Sequence, residues 1–327
     1  MIKLELDAED YSLQRSLEPS FISSLYERRH PTTWIKIAGK LGGRLKIEQH
    51  GSKIIAGCSA KLNENELRRI VLLETGLWHE DPMEELSKIS RGFREILEEL
   101  AITYPGVRIP IAPHDSEYIF LAVLLSKRAD YDIVRRWCRK LWEIYNGDLT
   151  RIAEASKKEL ERITRSYQLF EAAEILRGIL QRSSNIRRWL IDALSRPPEI
   201  ARITLLSIKG IGPKLADSII LSTCNALHFA PCDIHLAKFI ERTGLIQEFH
   251  LPVKSLCIRY SCSEDVSRRY GIPLCPRSET CLRAIISSRL ARLAGWFQTL
   301  VYLHGRKFCK TLNPACDICP LRRSCRR

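Results

Sequence analysis

Apolar residues in the first sixty positions alternate as strands do: Ile2, Leu4 and Leu6, then Ile35 with Ile37, Leu45 with Ile47, and Ile54 with Ile55. His50-Gly51-Ser52 separates the last two runs, so Arg44 to Cys58 is predicted as a hairpin. From Asn63 the spacing changes to three and four, through Leu67, Ile70, Val71 and Glu74 and then Leu86, Ile89, Phe93, Ile96 and Leu97. A small sheet followed by helices is expected at the front of the chain.

Prolines then stiffen the segment from Tyr104 to Pro113, because each fixes its own φ and discourages helix before it. Beyond that connector the pattern is almost wholly helical, in segments 116–126, 131–146, 149–155, 157–164, 167–182, 185–195, 198–206 and 213–223. Ser156 with Glu159 suits a capping box, Asn146-Gly147 a helix stop and Pro197-Pro198 a helix start. The expected fold is mainly α with a small N-terminal β-sheet, α+β overall. Three parts are expected: a sheet-plus-helix domain over 1–108, a helical domain over 109–233, and a C-terminal helical domain over 234–327.

Composition narrows the class of protein. A chain of 327 residues, 45% hydrophobic, can bury a sizeable core. Its 52 Lys and Arg against 38 Asp and Glu leave a net charge of +14, which points to a polyanionic partner, nucleic acid before membrane. The longest apolar run, Ile119 to Leu125, is far short of the roughly 20 residues of a spanning helix, and the acidic N-terminus lacks a signal-peptide pattern. The expectation is a monomer that is neither secreted nor membrane-inserted. Few Asn and Gln, two Met and many Arg and Glu fit a thermophilic prokaryote, and a cytoplasmic, nucleoid-associated location.

The chemistry concentrates late in the chain. Leu205 to Asp217 is a helix end, the turn Gly210-Ile211-Gly212, and a helix opened by Pro213. Two glycines let backbone N–H groups approach a phosphate, and the helix N-terminus adds a favourable dipole. Lys214 lies in that first turn, where the dipole disfavours its charge, so its amine is a candidate nucleophile. Further on, Pro231-Cys232-Asp233-Ile234-His235 puts a carboxylate at a loop-to-helix junction. Together a lysine and an aspartate suit attack on a sugar carbon through a cationic transition state. Singly, Lys214 suits a solvated surface and Asp233 a plain N-cap.

Twelve cysteines without a secretory signal point to metal or cluster ligation. Cys309, Cys316, Cys319 and Cys325 are spaced C-x6-C-x2-C-x5-C, a set that can serve an iron–sulfur cluster, a zinc ion or two disulfides. Arg306, Lys307, Lys310, Arg322, Arg323, Arg326 and Arg327 surround them against Asp317 alone, so this loop is expected to lie on phosphates. A second set, Cys257, Cys262, Cys275 and Cys281, lies among Arg259, Arg268, Arg269 and Arg277. For it a metal-stapled basic loop, disulfides and plain buried thiols all stay open.

These residues resemble the helix-hairpin-helix superfamily of DNA glycosylases, on Gly210-Ile-Gly-Pro-Lys214, Cys232-Asp233-Ile-His235 and Gly295 to Arg306 followed by Cys309. The likeness covers roughly residues 105–327 less the insertion 257–281, with the hairpin motif over 199–223. It implies the helix-hairpin-helix glycosylase fold with a C-terminal 4Fe-4S loop, held by Cys309, Cys316, Cys319 and Cys325 as in endonuclease III. It implies a bifunctional DNA glycosylase and abasic-site lyase acting on double-stranded DNA with a damaged, oxidised base. Lys214 would attack C1′, Asp233 would steady the developing positive charge, and a Schiff base and β-elimination would follow. Gly210, Gly212, Lys310, Arg322 and Arg323 would contact the DNA backbone. Arg128 or its neighbour stands where many endonuclease III relatives carry a gap-filling Gln. The sheet-containing front end looks like the 8-oxoguanine and alkyl-adenine branches, and is expected to serve as a scaffold that touches no base.

Overall fold

The computed structural model describes residues 2–326; Arg327, counted above in the basic loop, lies outside the described residues. Strands β1 (Ile2–Asp7), β2 (Tyr26–His30), β3 (Thr33–Lys36), β4 (Leu45–His50) and β5 (Lys53–Cys58) form one antiparallel sheet in the order β1-β5-β4-β3-β2. The hairpin β4–β5 turns at Gly51-Ser52, with His50 opposite Lys53. Leu45, Ile47, Ile54, Ala56 and Cys58 bury one face. Neither β2 nor α1 (Leu13–Leu17) is visible in the apolar pattern. The sequence of β2, Tyr-Glu-Arg-Arg-His, belongs to an edge strand, where charge blunts open pairing groups and apolar alternation is not required.

Helix α2 (Glu64–Thr75) follows, capped by Asn63. The apolar run from Leu86 to Leu97 is not one helix: a 3₁₀ turn over Pro82–Lys88 ends at Ile89, and Ser90 starts α3 (Arg91–Thr103). Extended backbone at both Ile89 and Ser90 makes the break, although the spacing of their neighbours is helical.

Eight helices come next: α4 (Ser116–Leu125), α5 (Tyr131–Tyr145), α6 (Leu149–Glu154), α7 (Lys157–Ile163), α8 (Tyr167–Leu180), α9 (Ile186–Leu194), α10 (Pro198–Leu206) and α11 (Pro213–Thr223). They match the eight predicted segments to within two residues at each end. Ser156 and Glu159 form the predicted capping box, and Asn146 ends α5 in the left-handed region. Then come α12 (Ile234–Thr243), α13 (Lys254–Cys257), α14 (Glu264–Tyr270), α15 (Leu282–Leu290) and α16 (Ala294–Lys307). Among the described residues no helix is long and apolar enough to cross a membrane.

Helix α4 is the hub. It is buried from Tyr118 to Leu125 and apolar on every side, as suits a helix enclosed by others. Polar pins tie the sheet to this helical part. Lys36 of β3 is fully buried and bonds Glu74 of α2 at 2.5 Å and Asp115, just before α4, at 2.7 Å. Trp142 donates to Ser24 O at 2.9 Å and Trp296 to Val107 O at 3.0 Å. Removing one partner of such a buried ion set leaves an uncompensated charge, at a cost of about 3–5 kcal/mol.

Candidate active site

The hairpin between α10 and α11 sits on the rim of an open cleft of about 950 Å³. Gly210 has φ +91°, and a Cβ there would fall 2.7 Å from the Ile175 side chain, so packing and backbone both demand glycine. Gly212 is different. It caps α11 with ordinary extended angles and nothing lies near its missing Cβ, so neither strain nor internal packing requires a glycine there. Its bareness instead leaves the N–H groups of the α11 N-terminus approachable from outside.

Lys214, second residue of α11, and Asp233, N-cap of α12, both line this cleft and both are half-buried. Asp233 Oδ1 accepts the Leu236 N–H at 2.9 Å; Oδ2 accepts a longer bond from Gln298 of α16 at 3.4 Å. The cleft's other carboxylates are occupied, Glu171 by Lys127 and Asp130 by Arg306. Among the described residues Lys214 and Arg128 take no ion pair. Arg128 is exposed on the cleft edge with φ +52°, a left-handed conformation that a non-glycine residue adopts at some cost.

Opposite the hairpin stands a run of rings that the sequence did not disclose. Phe21 meets Tyr131 at 4.8 Å, Tyr131 meets Tyr302 at 5.2 Å, and Tyr302 meets His235 at 5.4 Å. All four line the cleft. His235 packs against the backbone of Gly305, where a Cβ would come within 2.4 Å of its Nδ1. Burial holds this imidazole below its ordinary value, with Asp233 opposing and Arg306 and Lys214 reinforcing the shift. An amine, a carboxylate and a series of rings set tilted or edge-on to one another thus line one space. Such a set can receive a planar group and attack the carbon that carries it.

No strand residue lines the cleft, but Ser16, Pro19, Ser20 and Phe21, between β1 and β2, do. The front end therefore reaches the candidate cleft. Phe21, Tyr131, Tyr302 and Gln298 are the lining residues that sequence reasoning missed; only Gln298 and Tyr302 lay inside a stretch already singled out.

The last four cysteines converge elsewhere. Cys309, Cys316, Cys319 and Cys325 line a cavity of about 40 Å³ together with Arg242 and His304. Arg242 donates to Cys309 Sγ at 3.0 Å and to the carbonyls of Cys309 and Lys310, and His304 Nε2 lies 3.3 Å from Cys319 Sγ. Polar groups aimed at sulfur are what thiolate ligands attract. Among the described residues no three Cys, His, Asp or Glu stand close enough to share one ion. Lys310, Arg322 and Arg323 are exposed on the same loop, outside the cleft. Helix α12 links the two places, with Asp233 at its first turn and Arg242 in its last.

No family model matches the chain. The DNA glycosylase/AP lyase ROS1 of Arabidopsis thaliana is 27% identical over 188 residues, which are 55% of this chain and 12% of that protein. Endonuclease III of Sulfolobus acidocaldarius is 30% identical over 123 residues, 37% of this chain and 43% of that one. The chain thus spans less than half the length of these relatives, and only 7–12% of the first plant proteins it matches. Among solved structures, the Clostridium acetobutylicum 8-oxoguanine glycosylase/lyase bound to DNA superposes with a TM-score of 0.65 at 15% identity, over 93% of this chain and 98% of that one. That likeness is one of fold.

Proposed function

The chain belongs to the helix-hairpin-helix DNA glycosylase superfamily, and on that premise we propose that it is a bifunctional glycosylase and abasic-site lyase that excises an oxidised base from double-stranded DNA. The observation that carries this reading is the convergence of Lys214 and Asp233, on the first turns of α11 and α12, onto one cleft beside the glycine hairpin.

Extruding a nucleotide costs a few kcal/mol of stacking, which a pocket recovers by re-stacking the base on aromatic rings. Tyr131, Tyr302 and Phe21 supply such a wall. Arg128 or its neighbour, on the rim, would enter the gap left in the duplex. The Lys214 Nζ lone pair attacks C1′ while the glycosidic C–N bond breaks and its electron pair leaves with the base, which takes a proton. Asp233 Oδ2 carries no strong hydrogen bond, so its charge is available to the cationic sugar in the transition state. Opening of the sugar ring gives an imine between Lys214 and C1′. Loss of a C2′ proton then expels the 3′ phosphate and nicks the strand.

We assign Cys309, Cys316, Cys319 and Cys325 as the residues that would hold a 4Fe-4S cluster, which would cross-link the C-terminal loop; Lys310, Arg322 and Arg323, exposed on that loop, would meet DNA phosphates. With divisions after residues 108 and 233, all three parts of the chain contribute walls to the cleft, a common placement for a site. The test is a panel of duplexes each holding one lesion. Cleavage confined to oxidised-base duplexes, with β-elimination ends, is expected; failure to excise any base would overturn the enzymatic reading.

A further inference from the structure

The insertion between α12 and α15 is folded but has almost no core. From Leu251 to Thr280 only Cys257 and Ser261 are buried, and α14 buries nothing. A few backbone bonds organise it: Ser261 N–H to Pro273 O, Cys275 N–H to Ser261 O, and His250 paired with Cys281 on both sides. So small a unit needs a covalent or metal staple to hold one shape.

Its four cysteines supply the means. Cys257 at the end of α13, Cys262, Cys275, and Cys281 at the N-cap of α15 line one cavity of about 20 Å³, which shares only Leu251 with the cleft and no residue with the C-terminal cysteine cavity. All twelve cysteines of the chain are unbridged.

The charges behind this cavity show which form the sulfurs take. Arg202 of α10 and Arg283 of α15 are both buried and share a single carboxylate, Asp217 of α11, at 2.6 and 3.1 Å. Arg283 also lies over the Phe229 ring at 4.6 Å. Two guanidiniums against one carboxylate leave one buried positive charge unmatched, a costly arrangement. Among the groups within electrostatic reach are the cysteines, Cys257 and Cys262 for Arg202 and Cys262 for Arg283; Glu199, which also feels Arg283, is already paired with His228. Thiols at pH 7 are neutral and disulfides always are, so neither supplies the missing anion. Four metal-bound thiolates carry a net charge of about −2 with their metal and do supply it.

We propose that Cys257, Cys262, Cys275 and Cys281 hold a second iron–sulfur cluster, whose negative charge balances the buried Arg202–Asp217–Arg283 set and so locks the insertion onto the hairpin. Four thiolates around one cavity are what such a cluster requires, one for each iron. The lock is direct, since Arg202 and Asp217 belong to the two helices of the hairpin, and Lys254 of α13 donates to Ile208 O in its turn at 2.7 Å.

The test is iron and acid-labile sulfide analysis of the full chain purified without oxygen, beside Cys275→Ser and Cys316→Ser. About eight iron and eight sulfide per chain are expected for the wild type, and about four of each for either variant. Wild-type counts need no variant to fold. Loss of all iron in Cys275→Ser with none lost in Cys316→Ser would uphold this site and sink the C-terminal assignment. Iron unchanged in Cys275→Ser, one zinc ion per chain lost with that thiol, or a denatured mass showing disulfides among these four would each overturn the proposal.

Discussion

Asp233 Oδ1 accepts the Leu236 N–H at 2.9 Å, so the carboxylate proposed to act in catalysis also caps α12 with one of its two oxygens. The roles separate on substitution. Asp233→Asn retains a capping oxygen and loses the charge, so thermal stability should change little while single-turnover base excision falls by about 10²–10³-fold. Equal losses in excision and in melting temperature would make Asp233 a cap and nothing more.

The aromatic wall is testable apart from the nucleophile. Tyr302→Ala removes a ring that contacts both Tyr131 and His235. A stacked base is worth about 1–3 kcal/mol, so excision from a damaged duplex should fall by roughly 10- to 100-fold. Reaction with a preformed abasic site, which has no base to stack, should stay near wild type. If both reactions fell together, Tyr302 would be acting on the fold of the cleft.

Lys310, Arg322 and Arg323 are exposed on the cysteine loop. Their joint replacement by Ala should weaken binding to damaged and undamaged duplexes alike. The slope of log affinity against log salt should flatten by about 0.9 for each phosphate that these side chains no longer neutralise. Unaltered affinity for undamaged duplex would mean that this loop faces solvent.

His79 is one group, beside His304, through which stability should respond to pH. Its Nδ1–H donates to Glu80 O at 2.8 Å and its Nε2 accepts the Ile109 N–H at 3.1 Å, which requires the neutral ring; burial accordingly lowers its pKa to about 4. Because the folded value lies below the unfolded one, the unfolded chain binds more protons between them. The contribution is therefore complete above about pH 6.5 and is lost as pH falls toward 4. Denaturant titrations at pH 7 and pH 5 should differ by about 2 kcal/mol from this residue. His79→Phe should be less stable at pH 7 with a shallower dependence; an identical dependence would place the titrating group elsewhere.

Periodicity made the eight helices from α4 to α11 legible, because apolar residues recur in them at helical spacing and chemical signals bound them, such as the stop at Asn146 and the start at Pro198. It failed where packing, not pattern, decides: the charged edge strand β2, the short α1, and the break at Ile89-Ser90 inside a run with helical spacing. Lys214 and Asp233 could be read from sequence because each sits at a helix start with a local signature. Phe21, Tyr131 and Tyr302 could not, since three distant segments bring them together. The sharing of Asp217 by Arg202 and Arg283 was hidden for the same reason, and with it the charge that bears on the second cysteine set.

The central claim is that Lys214 is the nucleophile, and only an amine that attacks the sugar can be joined to it covalently. Borohydride reduction during reaction with an abasic-site duplex traps that bond, and peptide mapping of the adduct identifies the residue. The adduct should form with the wild type at the peptide carrying Lys214, and Lys214→Gln should give none while still binding DNA. Trapping by Lys214→Gln at the wild-type level, or an adduct mapped to any other amine, would contradict the account.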